Sequence, residues 1–272
     1  MKIGSREFDT KNNTYIMGIL NVTPDSFSDG GKYDCPDKAL FRVREMISQG
    51  ADIIDIGGES TRPGFTPLTA QEEMGRVLPV IEAIRKEFDI PISLDTSKAA
   101  VAREGIKAGA DLINDIWGLK RDPDMAKVVA DSGVCCCLMH NRMQSEYENF
   151  EMDVLKDLED SLNIAGDAGI AREKIILDPG IGFVKTYEQN LWMMANLERM
   201  HTFGLPVLLA ASRKSVIGLT LGLDKEERLE GTLATSVVGV MKGCSFVRVH
   251  DIEANVRAVR MALAIRREQK KY

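Results

Sequence analysis

Eight short, nearly continuous apolar runs alternate with stretches of helical periodicity, and this alternation limits the possible folds more than any other feature of the chain. The runs fall at residues 15–20, 52–56, 92–94, 112–116, 134–139, 175–177, 207–210 and 246–249. Most are apolar throughout rather than alternating with polar residues, as parallel strands covered on both faces must be. Helical patterns occupy 38–49, 70–87, 98–108, 125–131, 153–168, 187–200 and 227–242, and a last helix runs from 252 to about 267. Gly50, Gly109, Gly133, Gly169 and Gly204 each follow a helix and precede a strand by a few residues, so the helix-to-strand returns are short and sharply capped. The strand-to-helix connections at 21–36 and 57–68 are long, polar and rich in Gly, Pro, Ser and Asp, as functional loops on a rigid scaffold are.

The expectation is an α/β chain built as a single (β/α)8 TIM barrel over residues 1–272, with its site at the C-terminal mouth of the strands. Residues 1–13 form an N-terminal extension expected to plug the opposite mouth. A doubly wound open sheet is the alternative, but it calls for a GxGxxG turn after an early strand, which this chain lacks. Barrels of this kind reach about 250 residues as one unit, so 272 residues do not require a second domain.

The longest apolar runs are far too short to cross a bilayer, and the N-terminus carries no secretion signal, so a cytoplasmic protein without membrane contact is expected. The net charge of −6 argues against general nucleic-acid binding. Five cysteines, three of them consecutive (Cys135, Cys136, Cys137), fit neither a disulfide framework nor a CxxC metal pair and read as small buried side chains. With three histidines in all, a multi-imidazole zinc site is disfavoured, and His201 reads as a helix-end dipole partner. Walker, HExxH and GxSxG motifs are absent, and Lys214, in a loop, is poorly placed for Schiff-base chemistry.

At the C-terminal end of each strand lies a polar group: Asn21; Glu59, Thr61 and Arg62; Asp95 through Lys98; Asn114 and Asp115; His140; Asp178; Ser212 through Ser215; and Arg248 with His250. Taken singly, an Asp, Ser or Asn here is as readily a helix cap or turn residue. Asn114 and Arg248 are harder to dismiss, because they interrupt apolar strands where an unpaired polar group costs several kcal/mol. Pro179 biases Asp178 toward an extended backbone with a free carboxylate. Carboxylates at 95 and 178, with Asn114 and Lys214, match a flat heterocycle carrying amide and amino edges, and Arg248 can stack on such a ring. Asn21, Thr61, Arg62 and His250 suit an anion, with a divalent ion on the Asn21 oxygen.

Several stretches then resemble one family over most of the chain, from about 15 to 257. These are MGILNVTPDSFSDGG at 17–31, DIGGESTRPG at 55–64, SLDT at 93–96, IND at 113–115, LMH at 138–140, LDPGIGF at 177–183, SRKS at 212–215 and VRVHD at 247–251. Together they resemble the dihydropteroate synthases. The main departure is the Cys135–Cys137 run, whose side chains are close in volume to small apolar residues and affect packing rather than chemistry.

The resemblance implies a transferase that joins 4-aminobenzoate to (7,8-dihydropterin-6-yl)methyl diphosphate in folate biosynthesis, with Mg2+, as a homodimer and a target of sulfonamides. It implies a pterin pocket of Asp95, Asn114, Met139, Asp178, Lys214 and Arg248. Asn21, Thr61, Arg62, Arg248 and His250 are implied at the diphosphate end, with Asn21 on the metal. Phe27, Thr61, Pro63, Phe183, Lys214 and Ser215 frame the aminobenzoate, and Asp29 helps order the closed site. By the same carry-over Asp95, Arg62, Lys214 and Asp29 take the catalytic roles. Two rivals remain: a methyltetrahydrofolate–corrinoid methyltransferase barrel, which has no need of Thr61-Arg62-Pro63 or of 212–215, and a non-catalytic pterin-binding protein, which has no need of Asn21, Asp29 or Arg62. The last helix carries an apolar stripe (Val256, Val259, Ala262, Leu263) compatible with core or interface.

Overall fold

A computed structural model describes residues 1–22, 35–59 and 68–269. A small antiparallel pair, β1 (Lys2–Ile3) and β2 (Arg6–Glu7), precedes the barrel. Eight parallel strands follow: β3 (Tyr15–Asn21), β4 (Ile53–Gly57), β5 (Ile92–Asp95), β6 (Leu112–Asp115), β7 (Cys135–Met139), β8 (Ile175–Asp178), β9 (Leu208–Leu209) and β10 (Phe246–Val249). Neighbours pair in the order β8-β7-β6-β5-β4-β3-β10-β9. A parallel bridge between Leu177 and Val207, with the Leu177 amide donating to the Pro206 carbonyl at 2.9 Å, brings β8 against β9 and closes the ring. The expected (β/α)8 barrel is therefore present.

The helices are α1 (Cys35–Gln49), α2 (Ala70–Glu87), α3 (Ala99–Ala108), α4 (Met125–Ser132), α5 (Phe150–Asp167), α6 (Tyr187–Ala195), α7 (Ser215–Leu221), α8 (Leu229–Met241) and α9 (Ile252–Gln269). Two differ from the sequence pattern. The stretch expected at 187–200 ends as an α-helix at Ala195 and continues as a 3-10 helix, Leu197–Phe203. α7 has no counterpart in the sequence pattern, because SVIGLTL lacks an amphipathic period, and its Gly218 lets the Arg228 guanidinium approach where a Cβ would lie 2.2 Å away. None of the described helices is long and apolar enough to cross a membrane.

The strand wall divides the core in two. Outside it, Ile54, Ile56, Leu94, Ile113, Leu138 and Val247 pack against the helices. Inside, Met17, Ile53, Leu112, Cys135, Cys137, Ile176, Leu208 and Phe246 form a separate cluster, which also contains Ile3 and Phe8 of the N-terminal segment. Phe8 sets its ring edge-on to Tyr15, with centroids 4.8 Å apart, so the extension plugs the lower mouth as expected. The cysteines of β7 split between the two layers, and burial pushes the Cys135 thiol up to about 11, which makes it a packing group. Val256, Val259, Ala262 and Leu263 are buried, so the stripe on α9 belongs to the core.

Candidate active site

Side chains on a strand alternate between the two faces, so the inside positions continue upward from the apolar plug by steps of two. From Ile53 the next inward residue is Asp55, from Leu112 it is Asn114, from Ile176 it is Asp178, and from Phe246 it is Arg248. Register keeps them level: Asn21 pairs with Gly57, Gly57 with Asp95, and Asp95 with Asn114. The barrel interior is thus apolar below and charged above.

At the centre is Arg248. Its Nε donates to Asp55 Oδ2 at 2.6 Å and its Nη2 to Asp95 Oδ2 at 2.7 Å. Asp55, with no exposed surface, also accepts from Ser93 Oγ at 2.5 Å and from Asn114 Nδ2 at 3.4 Å. Two carboxylates on one guanidinium raise the Arg248 pKa despite its burial. Burial, reinforced by the neighbouring Asp55 charge, outweighs Arg248 at Asp95 and lifts its carboxyl to about 7. Arg248 is among the site residues read from the sequence, but Asp55 and Ser93, which anchor it, are not. A carboxylate inside the apolar run Ile53-Ile54-Asp55-Ile56 was the available signal, with the same force as Asn114 and Arg248 in theirs.

Beside this cluster Asp178, 3% exposed, accepts from the Gly180 amide at 2.7 Å. Burial raises its pKa, opposed chiefly by the Lys214 charge. Lys214 donates to the Ile181 carbonyl and holds its Nζ 4.8 Å from the centroid of the Phe183 ring, and burial brings its ammonium down to about 8. Ser215 is exposed at the start of α7, and Met139 is buried in register with Asp178. A methyl group added at Gly57 would lie 3.9 Å from both Asn21 Oδ1 and Asp95 Oδ2, which places the Asn21 oxygen over the mouth.

Asn21, Asp95, Asn114, Asp178, Lys214 and Arg248 therefore share one mouth. Phe27, Asp29, Thr61, Arg62 and Pro63 lie outside the described residues. Several expectations need correction. His140 does not serve the mouth: it is fully buried and its Nε2 lies 2.9 Å from Asp157 Oδ2 on α5. Asp115 takes the capping role, accepting from the Trp117 amide at 2.9 Å and the Leu119 amide at 2.7 Å. His250, expected as a polar or positive group for an anion, is brought down to about 4 by burial and by Arg248, so it is the neutral, polar form that is present at pH 7. The Ser212 hydroxyl takes the His250 amide proton at 3.2 Å and lies 3.0 Å from Nδ1. Glu59 and Lys98 also turn aside, with Lys98 bridging Glu59 and Glu73.

A closed barrel whose upper interior holds a guanidinium between two carboxylates, with amide, ammonium and carboxylate groups around it, defines an enzyme for a small, planar, polar substrate. The pterin binding enzyme model matches residues 17–250. A dihydropteroate synthase of Clostridium beijerinckii is 62% identical over 262 residues, covering 96% of this chain and 97% of that protein. The structure of Clostridium difficile dihydropteroate synthase in the presence of pteroic acid superposes with a TM-score of 0.93 at 48% identity, covering 95% of this chain and 99% of that one. That of Xanthomonas albilineans dihydropteroate synthase with 4-aminobenzoic acid gives 0.90 at 39% identity, covering 93% of each chain. The chain belongs to the dihydropteroate synthase family of pterin-binding transferases.

Proposed function

We propose that the chain joins 4-aminobenzoate to (7,8-dihydropterin-6-yl)methyl diphosphate, forming 7,8-dihydropteroate and diphosphate. The observation that carries this reading is the ring of Asp55, Asp95, Asn114, Asp178, Lys214 and Arg248 in one partly desolvated cup. Asp178 and Asn114 offer an acceptor and an amide to the pterin edge, and Arg248 offers its planar face. The methylene C–O bond breaks, its electron pair leaves with diphosphate, and the pterin ring carries the positive charge. Asp55, Asp95 and Asp178 line the same cup and would stabilise that cation electrostatically. The aniline nitrogen then forms the C–N bond and releases its proton, so no strong base is required. Phe183 and Lys214 form one wall for the aminobenzoate, with Ser215 exposed near its carboxylate end, and His250 serves the departing anion as a neutral hydrogen-bonding group. Arg62, Thr61, Pro63, Phe27 and Asp29 complete the site on this reading.

Mg2+ fits the residues present. Among the described residues no group of three or more His, Cys, Asp or Glu could hold an ion by itself, while the Asn21 oxygen faces the Gly57 position at the mouth, as the Asp95 carboxylate does. Asn21 would hold the ion, which would supply charge neutralisation on the leaving group. A homodimer is proposed through α7, α8 and α9, where Leu219, Leu221, Val238, Met241, Met261 and Ile265 are exposed. The buried free cysteines 135, 136, 137 and 244 suit a reducing, cytoplasmic compartment. Since the solved relatives include a Yersinia pestis dihydropteroate synthase with a sulfonamide drug, sulfonamides are expected to compete for the aminobenzoate position here. Incubation with both substrates and Mg2+ should give dihydropteroate and diphosphate in equal amounts. Pterin binding without diphosphate release would favour a non-catalytic binder, and methyl transfer from methyltetrahydrofolate would favour the corrinoid-linked alternative.

A further inference from the structure

The connection from β8 to α6, residues 179–186, has three residues in the left-handed region: Gly180 (φ 69), Gly182 (φ 82) and Val184 (φ 42). For a β-branched side chain this conformation costs about 1–2 kcal/mol, so other contacts must hold Val184 there. They are visible. The Val184 carbonyl accepts from Tyr147 Oη at 3.0 Å, and the Gly182 amide donates to Asn190 Oδ1 at 2.6 Å. The most central contact is Lys185, whose Nζ reaches the Gly180 carbonyl at 3.0 Å, the Phe183 carbonyl at 3.2 Å and His140 Nδ1 at 2.8 Å.

An ammonium has three protons and no acceptor, and three acceptors face it here. The donation to Nδ1 leaves the proton of neutral His140 on Nε2, aimed at Asp157 Oδ2 at 2.9 Å, and Arg142 Nε holds the same carboxylate oxygen at 2.6 Å. A continuous chain of polar contacts thus runs from α5 through His140 and Lys185 into the loop. What the loop presents at its other surface is the wall of the site. Lys214 rests on the Ile181 carbonyl and over the Phe183 ring, so both of its contacts belong to residues of the 180–183 segment whose ends, at the Gly180 and Phe183 carbonyls, Lys185 ties together.

We infer that Lys185 is a positioning residue for the transfer reaction: without touching substrate, it holds the loop that places Phe183 and Lys214 against the aminobenzoate. This rests on the assignment of Phe183 and Lys214 to that subsite. Lys185 is also poised to make the geometry depend on pH. Burial lowers its pKa to about 7, with Asp178 on β8 and Asp157 on α5 supporting the charge and Lys214 and Lys120 opposing it. His140 is neutral, its pKa brought down to about 4. Loss of the proton leaves an amine with two donors for three acceptors, so the loop loosens as pH rises through neutrality.

The test is steady-state kinetics of the full-length enzyme from pH 6 to 9, with thermal unfolding of each variant. Lys185→Met, which keeps the length and removes every donor, should raise KM for 4-aminobenzoate roughly tenfold or more, since small misplacements of a positioned group can cost up to about a hundredfold. Calorimetric affinity for the pterin diphosphate should fall much less. The wild-type rise of that KM above neutral pH should disappear in Lys185→Met, and Lys185→Arg, charged at every pH used, should recover part of the affinity and show a flat profile. A role in stability alone lowers the unfolding temperature without changing KM or its pH profile, and that result overturns the inference. If Lys185→Met does not fold, Lys185→Arg alone suffices, because retention of the wild-type basic limb overturns it equally. Phe183→Ala separates the two failures: an unchanged KM in that variant as well shows that the subsite assignment is wrong, whereas a raised KM in Phe183→Ala with wild-type behaviour in Lys185→Met refutes Lys185 alone.

Discussion

Replacing Asp55 by Asn removes one charge and almost no volume from the centre of the site. The Asp55 carboxylate accepts from Ser93 and Asn114 on one oxygen and from Arg248 Nε on the other. An amide placed there can turn its oxygen to Ser93 and Asn114 only by setting its NH2 against the Arg248 N–H, and the reverse orientation sets NH2 against two donors. Either way a charge-assisted bond worth about 1.5–3 kcal/mol is lost, and a buried donor is left unmet at about 1–3 kcal/mol. Because Arg248 keeps Asp95 at 2.7 Å, the full penalty for an isolated buried charge does not apply, and the expected loss of stability is about 3 kcal/mol. The Asp55 charge also raises the Asp95 pKa, so its removal should move the midpoint of pterin binding against pH to lower values. Urea unfolding at pH 7 measures the first effect and calorimetry with a pterin ligand from pH 5 to 8 the second. Ser93→Ala, which deletes one neutral donor, is the control at about 1 kcal/mol. A loss in Asp55→Asn no greater than in Ser93→Ala, with an unmoved midpoint, would mean that Asp95 alone holds Arg248.

Asp178→Asn should weaken pterin binding by about 1.5–3 kcal/mol through loss of charge-assisted pairing, and unchanged calorimetric affinity removes this residue from the pocket. Phe8→Ala should cost about 3–5 kcal/mol of stability by urea unfolding, as for other buried Phe truncations, while leaving KM for both substrates untouched, because the plug lies at the opposite mouth; altered KM values contradict that separation. Burial brings both His140 and His250 from 6.5 down to about 4, so between these values the unfolded chain binds protons that the folded chain does not. Each histidine therefore contributes stability that is full above about pH 6.5 and is lost as pH falls toward 4, at up to about 1.4 kcal/mol per pH unit. Asp95 and Asp178, with raised values, act with the opposite sign, so the readout is the difference between wild type and His140→Gln in urea midpoints from pH 4 to 7. A constant difference refutes the assignment.

Eight apolar runs, eight helical intervals and polar residues at the strand ends were enough to read the barrel and its working mouth from the sequence, because burial on both faces and 3.6-residue periodicity are local properties of the chain. The same locality explains the errors. A continuous apolar run hides which face of each strand turns inward, and that parity places Asp55 under Arg248, turns Asp115 back to cap its own loop, and sends His140 outward to Asp157. It also leaves Lys185, seven residues beyond Asp178, with no signal of its own, since its three acceptors come from its own loop and from the end of β7. Local pattern along the chain dictates which groups are available and at which end of the barrel they gather. Only closure of the ring, which sets strands far apart in sequence at a fixed register around one small interior, decided which charges face each other and hence which are paired, neutral or held for the ligand.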